Sequence, residues 1–308
     1  MVRRLALFVT RTWRLITDPR TPFSTKLVTF RKLVNLRIKK VKRLRIVVKP
    51  KPPKFSGWGM TSDKFVPWNP KSSDGTGLEF TEANKLLLNK IERKKFILTQ
   101  WMTNEKYSVA PSNILLQLSW RHYFVYWTVK YATRFSEASN FNIVEAGVCD
   151  GLTITFAISA AQRTLGQSSN FKVFLYDAWE GMKEENLTFS EKGSKGNYSY
   201  LSLEQTKSNL KDFRDSCRFI KGHIPEVFVE NSGPTELSWL HIDLNSSMPT
   251  LKTLEQFVPK LLPGGVILFD DYAHGGFRET REVADEYCSQ VNGLLLPLPT
   301  GQAIFFKN

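Results

Sequence analysis

From residue 142 to residue 270, five short hydrophobic runs alternate with stretches of helical periodicity. This alternation constrains the fold more than any other feature of the chain. The runs lie at 142–147, 172–177, 217–221, 237–243 and 264–270, with helices expected near 151–164, 203–213, 250–261 and 277–291. Strands separated by helices pair in parallel, because each crossover returns the chain to the same end of the sheet. The chain then closes with Gly293-Leu-Leu-Leu-Pro-Leu-Pro, a Thr300-Gly301 turn and Gln302-Ala-Ile-Phe-Phe306. Two strands across a tight turn predict an antiparallel hairpin at the sheet edge.

At 308 residues the chain has room for one large α/β domain and an appendage. Its net charge of +14 is unevenly placed. Residues 1–54 hold 17 Lys or Arg and one acid, Asp18, which leaves 26 bases against 28 acids in the rest. The charge therefore belongs to a basic tail, 1–54, ending in the stiff Lys49-Pro-Lys-Pro-Pro-Lys54. An irregular linker (55–80), a helical cap segment (81–140) and the main domain (141–308) follow. The cap segment should hold helices near 82–99 (Leu86, Leu87, Ile91, Phe96, Ile97) and 113–135 (Leu115, Leu118, Trp120, Tyr123, Tyr126). The tail reads as a solvated basic segment, as a contact for an anionic membrane surface, or as an organelle transit peptide. Nucleic-acid binding is disfavoured, because no recognised nucleic-acid fold accompanies the charge. Cys149, Cys217 and Cys288 lie too far apart for a Cys-x-x-Cys zinc site, and reduced thiols point to the cytoplasm. No apolar run approaches the ~20 residues needed to span a bilayer.

The first strand ends in Glu145-Ala-Gly-Val-Cys-Asp-Gly151. Gly147 opens the turn and Gly151 leads into the helix, as a backbone that must approach a ligand closely requires. The dinucleotide fingerprint Gly-x-Gly-x-x-Gly is absent, which argues against a nicotinamide dehydrogenase. The second strand ends in Asp177, 26 residues after Gly151, where a carboxylate can accept the hydroxyls of a ribose. Glu145, Gly147, Gly151 and Asp177 are the candidate cofactor residues of a Rossmann-like, doubly wound, mostly parallel seven-stranded sheet.

Two further strands end in carboxylate, Leu240-His-Ile-Asp243 and Val266-Ile-Leu-Phe-Asp-Asp271. Their ends should share the edge that holds Gly147, so Asp243, Asp270 and Asp271 can converge on one hard cation such as Mg²⁺ or Ca²⁺. The competing reading is that Asp270 or Asp271 caps the following helix. His241 falls inside a hydrophobic strand and reads as a core histidine. His223, after Gly222, reads equally as packing or as a ligand contact. The stretch Phe189–Asn197 suits a mobile lid or a plain surface loop.

Together with Tyr176-Asp-Ala-Trp-Glu-Gly181, Lys221-Gly-His-Ile-Pro225 and Pro263-Gly-Gly265, these motifs resemble the macrocin O-methyltransferase (TylF-type) family over roughly residues 100–308. That family belongs to the class I S-adenosylmethionine-dependent methyltransferases, whose sheet also ends in an antiparallel hairpin. The resemblance implies methyl transfer to a hydroxyl of a sugar or small natural product. It also implies Mg²⁺ on Asp243, Asp270 and Asp271, and a base at His274 or Asp243. The chain departs from the family at Leu244-Asn-Ser-Ser-Met-Pro-Thr250, where Asn245 stands in place of a second acid. Three alternatives stay open: a metal-independent transferase acting on nitrogen or carboxylate, a non-enzymatic membrane-binding protein and a nucleic-acid-binding one. Homo-oligomerisation and peripheral membrane attachment are open as well.

Overall fold

The computed structural model describes residues 111–166, 171–230, 233–273 and 277–308, with side chains from residue 120. The basic tail, the linker and the helix expected at 82–99 lie outside the described residues, as does His274. In chain order the elements are α1 (Pro111–Phe135), β1 (Asn142–Ala146), α2 (Leu152–Leu165), β2 (Lys172–Asp177), α3 (Leu203–Asn209) and β3 (Cys217–Lys221). They continue with α4 (Val227–Glu230), β4 (Leu237–Ile242), α5 (Ser247–Phe257), β5 (Leu261–Phe269), α6 (Arg278–Ser289), β6 (Gly293–Pro297) and β7 (Ala303–Lys307).

The seven strands form one sheet in the order β3-β2-β1-β4-β5-β7-β6. The first five are parallel, and β7 runs antiparallel to both β5 and β6. The central strands β1 and β4 are buried at every position, although Glu145, Ser238 and His241 interrupt their hydrophobic runs. Alternate side chains still go to opposite faces. Ile143, Trp239 and Val266 join one core with Val125, Tyr126 and Val129 of α1 and Ile154 and Phe156 of α2. Val144, Leu240 and Ile267 join the other core with Leu254 and Phe257 of α5 and Ala284 of α6.

Three of the boundaries that differ from the sequence reading have an identifiable cause. β5 begins at Leu261, not 264, because Pro263-Gly264-Gly265 is absorbed by a register shift against β4. A Cβ on Gly264, where φ is +73°, would meet the Phe135 carbonyl oxygen at 1.9 Å, so this glycine lets the end of α1 close on the sheet. The helix expected at 203–213 stops at Asn209, whose side chain donates to the Asp150 carbonyl at 2.9 Å, and a 3₁₀ turn (Lys211–Ser216) follows. The helix expected at 250–261 begins earlier, at Ser247, with Pro249 in its first turn where its missing N–H costs nothing.

Candidate active site

The hydrogen-bond ladder runs past the formal strand ends and sets the site's floor. Gly147 N donates to Tyr176 O (2.9 Å), Asp243 N to Ala146 O (2.9 Å), Asp270 N to Ile242 O (3.0 Å) and Gly222 N to Asp177 O (3.0 Å). Asp177, Gly147, Asp243 and Asp270 therefore stand side by side on the carboxyl edge of the sheet, where open α/β folds bind ligands. A cavity of about 330 Å³ opens there. One end is lined by Gly147, Cys149, Asp177 and His223, and the other by Asp243, Asn245, Asp270 and Asp271.

Gly147 has φ +86°, and a Cβ on it would lie 1.9 Å from the Asp243 carbonyl oxygen. Only glycine allows β1 and β4 to meet so closely at this edge. The turn after it is left-handed at Cys149 (φ +54°) and Gly151 (φ +86°). Its successive N–H groups point at Asp177: Val148 N and Cys149 N each donate to Oδ2 at 2.8 Å. Trp179 N donates to Oδ1 at 2.7 Å, and the indole of Trp179 returns to the Cys149 carbonyl at 2.9 Å. Asp177 thus braces the glycine turn, a role its place at a strand end does not reveal. Burial raises its pKa, against the backbone N–H groups that favour the charged form.

Glu145 does not line the cavity. It is buried, and its Oε1 meets His241 Nδ1 at 2.8 Å. His241 is indeed a core residue, packed on Trp239, but its other nitrogen faces Asp270 Oδ1 at 3.8 Å. Burial opposes a charged imidazole, yet contacts with Asp270 and Glu145 outweigh it and push the His241 pKa up to about 10. His223, which lines the cavity, pairs with Glu180 Oε1 at 2.6 Å.

Asp243, Asp270 and Asp271 are half-buried and each offers a carboxylate oxygen within 4.8 Å of the others. Burial and the two neighbouring acids raise the Asp243 pKa well above the ordinary carboxylate range. Asp270 moves the other way: burial opposes ionisation, but Arg121 and His241 hold its pKa below normal. Asn245 sits in the left-handed region (φ +53°), which asparagine tolerates, and its amide donates to Asp243 Oδ1 at 3.3 Å. An all-oxygen donor set of this spacing fits a hard divalent cation.

Three contributors escape a reading of the sequence. Arg121, on α1, forms an ion pair with Asp270. Tyr198 lines the cavity with a left-handed backbone, φ +67°, a strained conformation of the kind that gathers at ligand sites. Glu191 fixes the 182–202 segment in place: its Oε1 accepts from Ser247 N (2.8 Å) and its Oε2 from Ser246 Oγ (2.9 Å) and Thr188 N (3.0 Å). Met182, Asn186, Leu187 and Leu201 of this segment wall the cavity, so the stretch read as a lid or a loop lies within a docked cover. No local periodicity marks them: Asp270 lies 149 positions from Arg121, and Ser246 and Ser247 lie 55 and 56 positions from Glu191.

Residues 144–272 match the family described as a methyltransferase domain. In Streptomyces olivaceus, 8-demethyl-8-(2,3-dimethoxy-alpha-L-rhamnosyl)-tetracenomycin-C 4'-O-methyltransferase is 28% identical over 148 residues. That match covers 45% of this chain and 55% of the relative, so it spans about half of the relative's length. The O-methyltransferase NovP superposes with a TM-score of 0.58 at 18% identity, over 76% of this chain and 99% of that one. The chain therefore shares the fold of NovP, as its strand order displays, and the region similar to the methyltransferase-domain family begins and ends at the two motifs that build the cavity.

Proposed function

We propose that the chain is an S-adenosylmethionine-dependent O-methyltransferase of the macrocin (TylF) type, assisted by Mg²⁺ and acting on a hydroxyl of a sugar or sugar-bearing natural product. The observation that carries this reading is the single cavity joining the Asp177–Gly147 end to the Asp243–Asp270–Asp271 end. Donor and acceptor sites must adjoin for in-line transfer, and the placing of both residue groups on one sheet edge supports that arrangement. The likeness to a rhamnosyl 4'-O-methyltransferase favours a sugar hydroxyl as the acceptor.

S-adenosylmethionine supplies an electrophilic methyl group when bound. In this reading Asp177 keeps the Val148–Cys149 turn in place and offers its remaining lone pairs to the ribose hydroxyls, while Gly147 leaves room for close approach. Asp243, Asp270 and Asp271 would hold Mg²⁺, which lowers the pKa of a coordinated hydroxyl. Asp243 or His274 takes the hydroxyl proton. Asn245 holds Asp243 in orientation through its amide without adding charge. The cover around Tyr198 and Leu201 excludes water from the transfer.

The test is methyl transfer from labelled S-adenosylmethionine to a panel of rhamnosides and hexosides, with and without EDTA. The proposal expects a methylated sugar, loss of transfer in EDTA and recovery with Mg²⁺. Transfer undiminished by EDTA would remove the ion from the account. Transfer to amine or carboxylate acceptors alone would redirect it.

A further inference from the structure

Arg121 is delivered to the acid cluster by a rigid element. Its neighbours on α1, Val125, Tyr126 and Val129, are fully buried, and Thr128 accepts from the buried indole of Trp239 at 2.9 Å. From that anchor the guanidinium spans two other parts of the fold. Nη1 donates to the Thr300 carbonyl, in the turn between β6 and β7, at 2.9 Å. Nη2 donates to the Asp270 carbonyl at 2.8 Å and to Asp270 Oδ2, and lies 4.0 Å from Asp271 Oδ1. The other oxygen of Asp270 accepts from Gln302 Nε2 at 2.9 Å and faces His241 Nε2 at 3.8 Å.

Three carboxylates within 4.8 Å of one another repel, and the repulsion is strong where water is largely excluded. A cation fixed beside them relieves it. A divalent ion in the same cluster would then stand near the guanidinium, and like charges at such separations oppose each other. The planar fork of arginine cannot swing away without giving up the Thr300 and Asp270 carbonyls as well.

We propose that Arg121 is a built-in counter-cation of the acid cluster. It steadies Asp243, Asp270 and Asp271 when no divalent ion is bound, and it competes with that ion for the same negative charge. The metal site is therefore set to moderate affinity by a residue outside its ligand set. This inference rests on the divalent-ion reading above.

The experiment compares the full-length wild type with Arg121→Met, which removes the charge, and Arg121→Lys, which keeps it. Mn²⁺ binding is followed by electron paramagnetic resonance, Mg²⁺ binding by calorimetry, and melting in EDTA by circular dichroism. Arg121→Met is expected to bind Mn²⁺ about tenfold more tightly than wild type. In EDTA it should melt about 5 °C lower, and saturating Mg²⁺ should recover more of its stability than it adds to wild type. Arg121→Lys should stay within about threefold of the wild-type affinity. Should the methionine variant not fold, Arg121→Gln repeats the comparison, keeping a donor for Thr300 without the charge. Tighter binding by a neutral variant, including binding by that variant alone, supports the counter-cation. Equal or weaker binding, with wild type still binding, overturns it and leaves the ion site standing. Binding by neither chain overturns both.

Discussion

Replacing Gly147 by alanine should damage both the fold and the site, and the size of the effect follows from the coordinates. The added Cβ would lie 1.9 Å from the Asp243 carbonyl oxygen, well inside contact distance, and the obstacle is backbone that cannot rotate aside. Relief requires β1 and β4 to part where Asp243 N donates to Ala146 O at 2.9 Å. Losing that bond costs about 1 kcal/mol, and forcing alanine to φ +86° costs about 1–2 kcal/mol. With residual crowding, Gly147→Ala should lose about 3–4 kcal/mol. Gly196→Ala supplies the control. That residue also has positive φ (+77°), but its Cβ would meet nothing within 4 Å, so only the backbone cost of about 1–2 kcal/mol applies. Urea denaturation of both variants measures the difference. If the two losses agree within about 0.5 kcal/mol, the close approach of β1 and β4 is not what demands glycine.

Two further predictions concern the supports around the site. His122 is buried against Phe156, with ring centroids 4.2 Å apart, and burial lowers its pKa to about 3. The unfolded chain, with a histidine pKa near 6.5, then binds the proton more readily, so stability present above pH 6.5 is lost as pH falls toward 3. The loss at pH 5 is about 2 kcal/mol, and His122→Phe should flatten this part of a stability–pH curve measured by denaturant titration; an unchanged slope would reject the assignment. Glu191→Ala removes the acceptor for Ser247 N at the start of α5 and should cost about 1–2 kcal/mol. The same variant should expose the 182–202 segment to limited proteolysis, and an unaltered cleavage pattern would show that Glu191 does not fasten the cover.

Strand spacing made the sheet legible, because hydrophobic runs and strand-end glycines or acids are local signals. Every strand expected between 142 and 270 formed within three residues of its expected ends, and the hairpin closed the sheet. The convergence of Asp243, Asp270 and Asp271 was also readable, since parallel strands present their ends on one edge. What the sequence hid is long-range. Glu145 looks like a cofactor residue by position, yet the pleat aims it at His241, away from the cavity. Arg121 is an ordinary helical arginine until the fold carries it to Asp270, 149 residues on. Asp177 looks like a ribose acceptor, and only the left-handed turn at Cys149 shows that it braces the loop as well. Helix ends were misplaced where a side chain from elsewhere intervened, as Glu191 does at Ser247.

The central claim is that the crevice between Gly147 and Asp177 binds S-adenosylmethionine. Isothermal titration of the full-length protein with S-adenosylmethionine tests it most directly, with Asp177→Ala run in parallel. The account predicts one saturable site in the wild type and an affinity lowered about tenfold or more in the variant, because a charge-assisted acceptor and the brace of the turn are lost together. Absence of binding to the folded wild type, or undiminished affinity in Asp177→Ala, would contradict it.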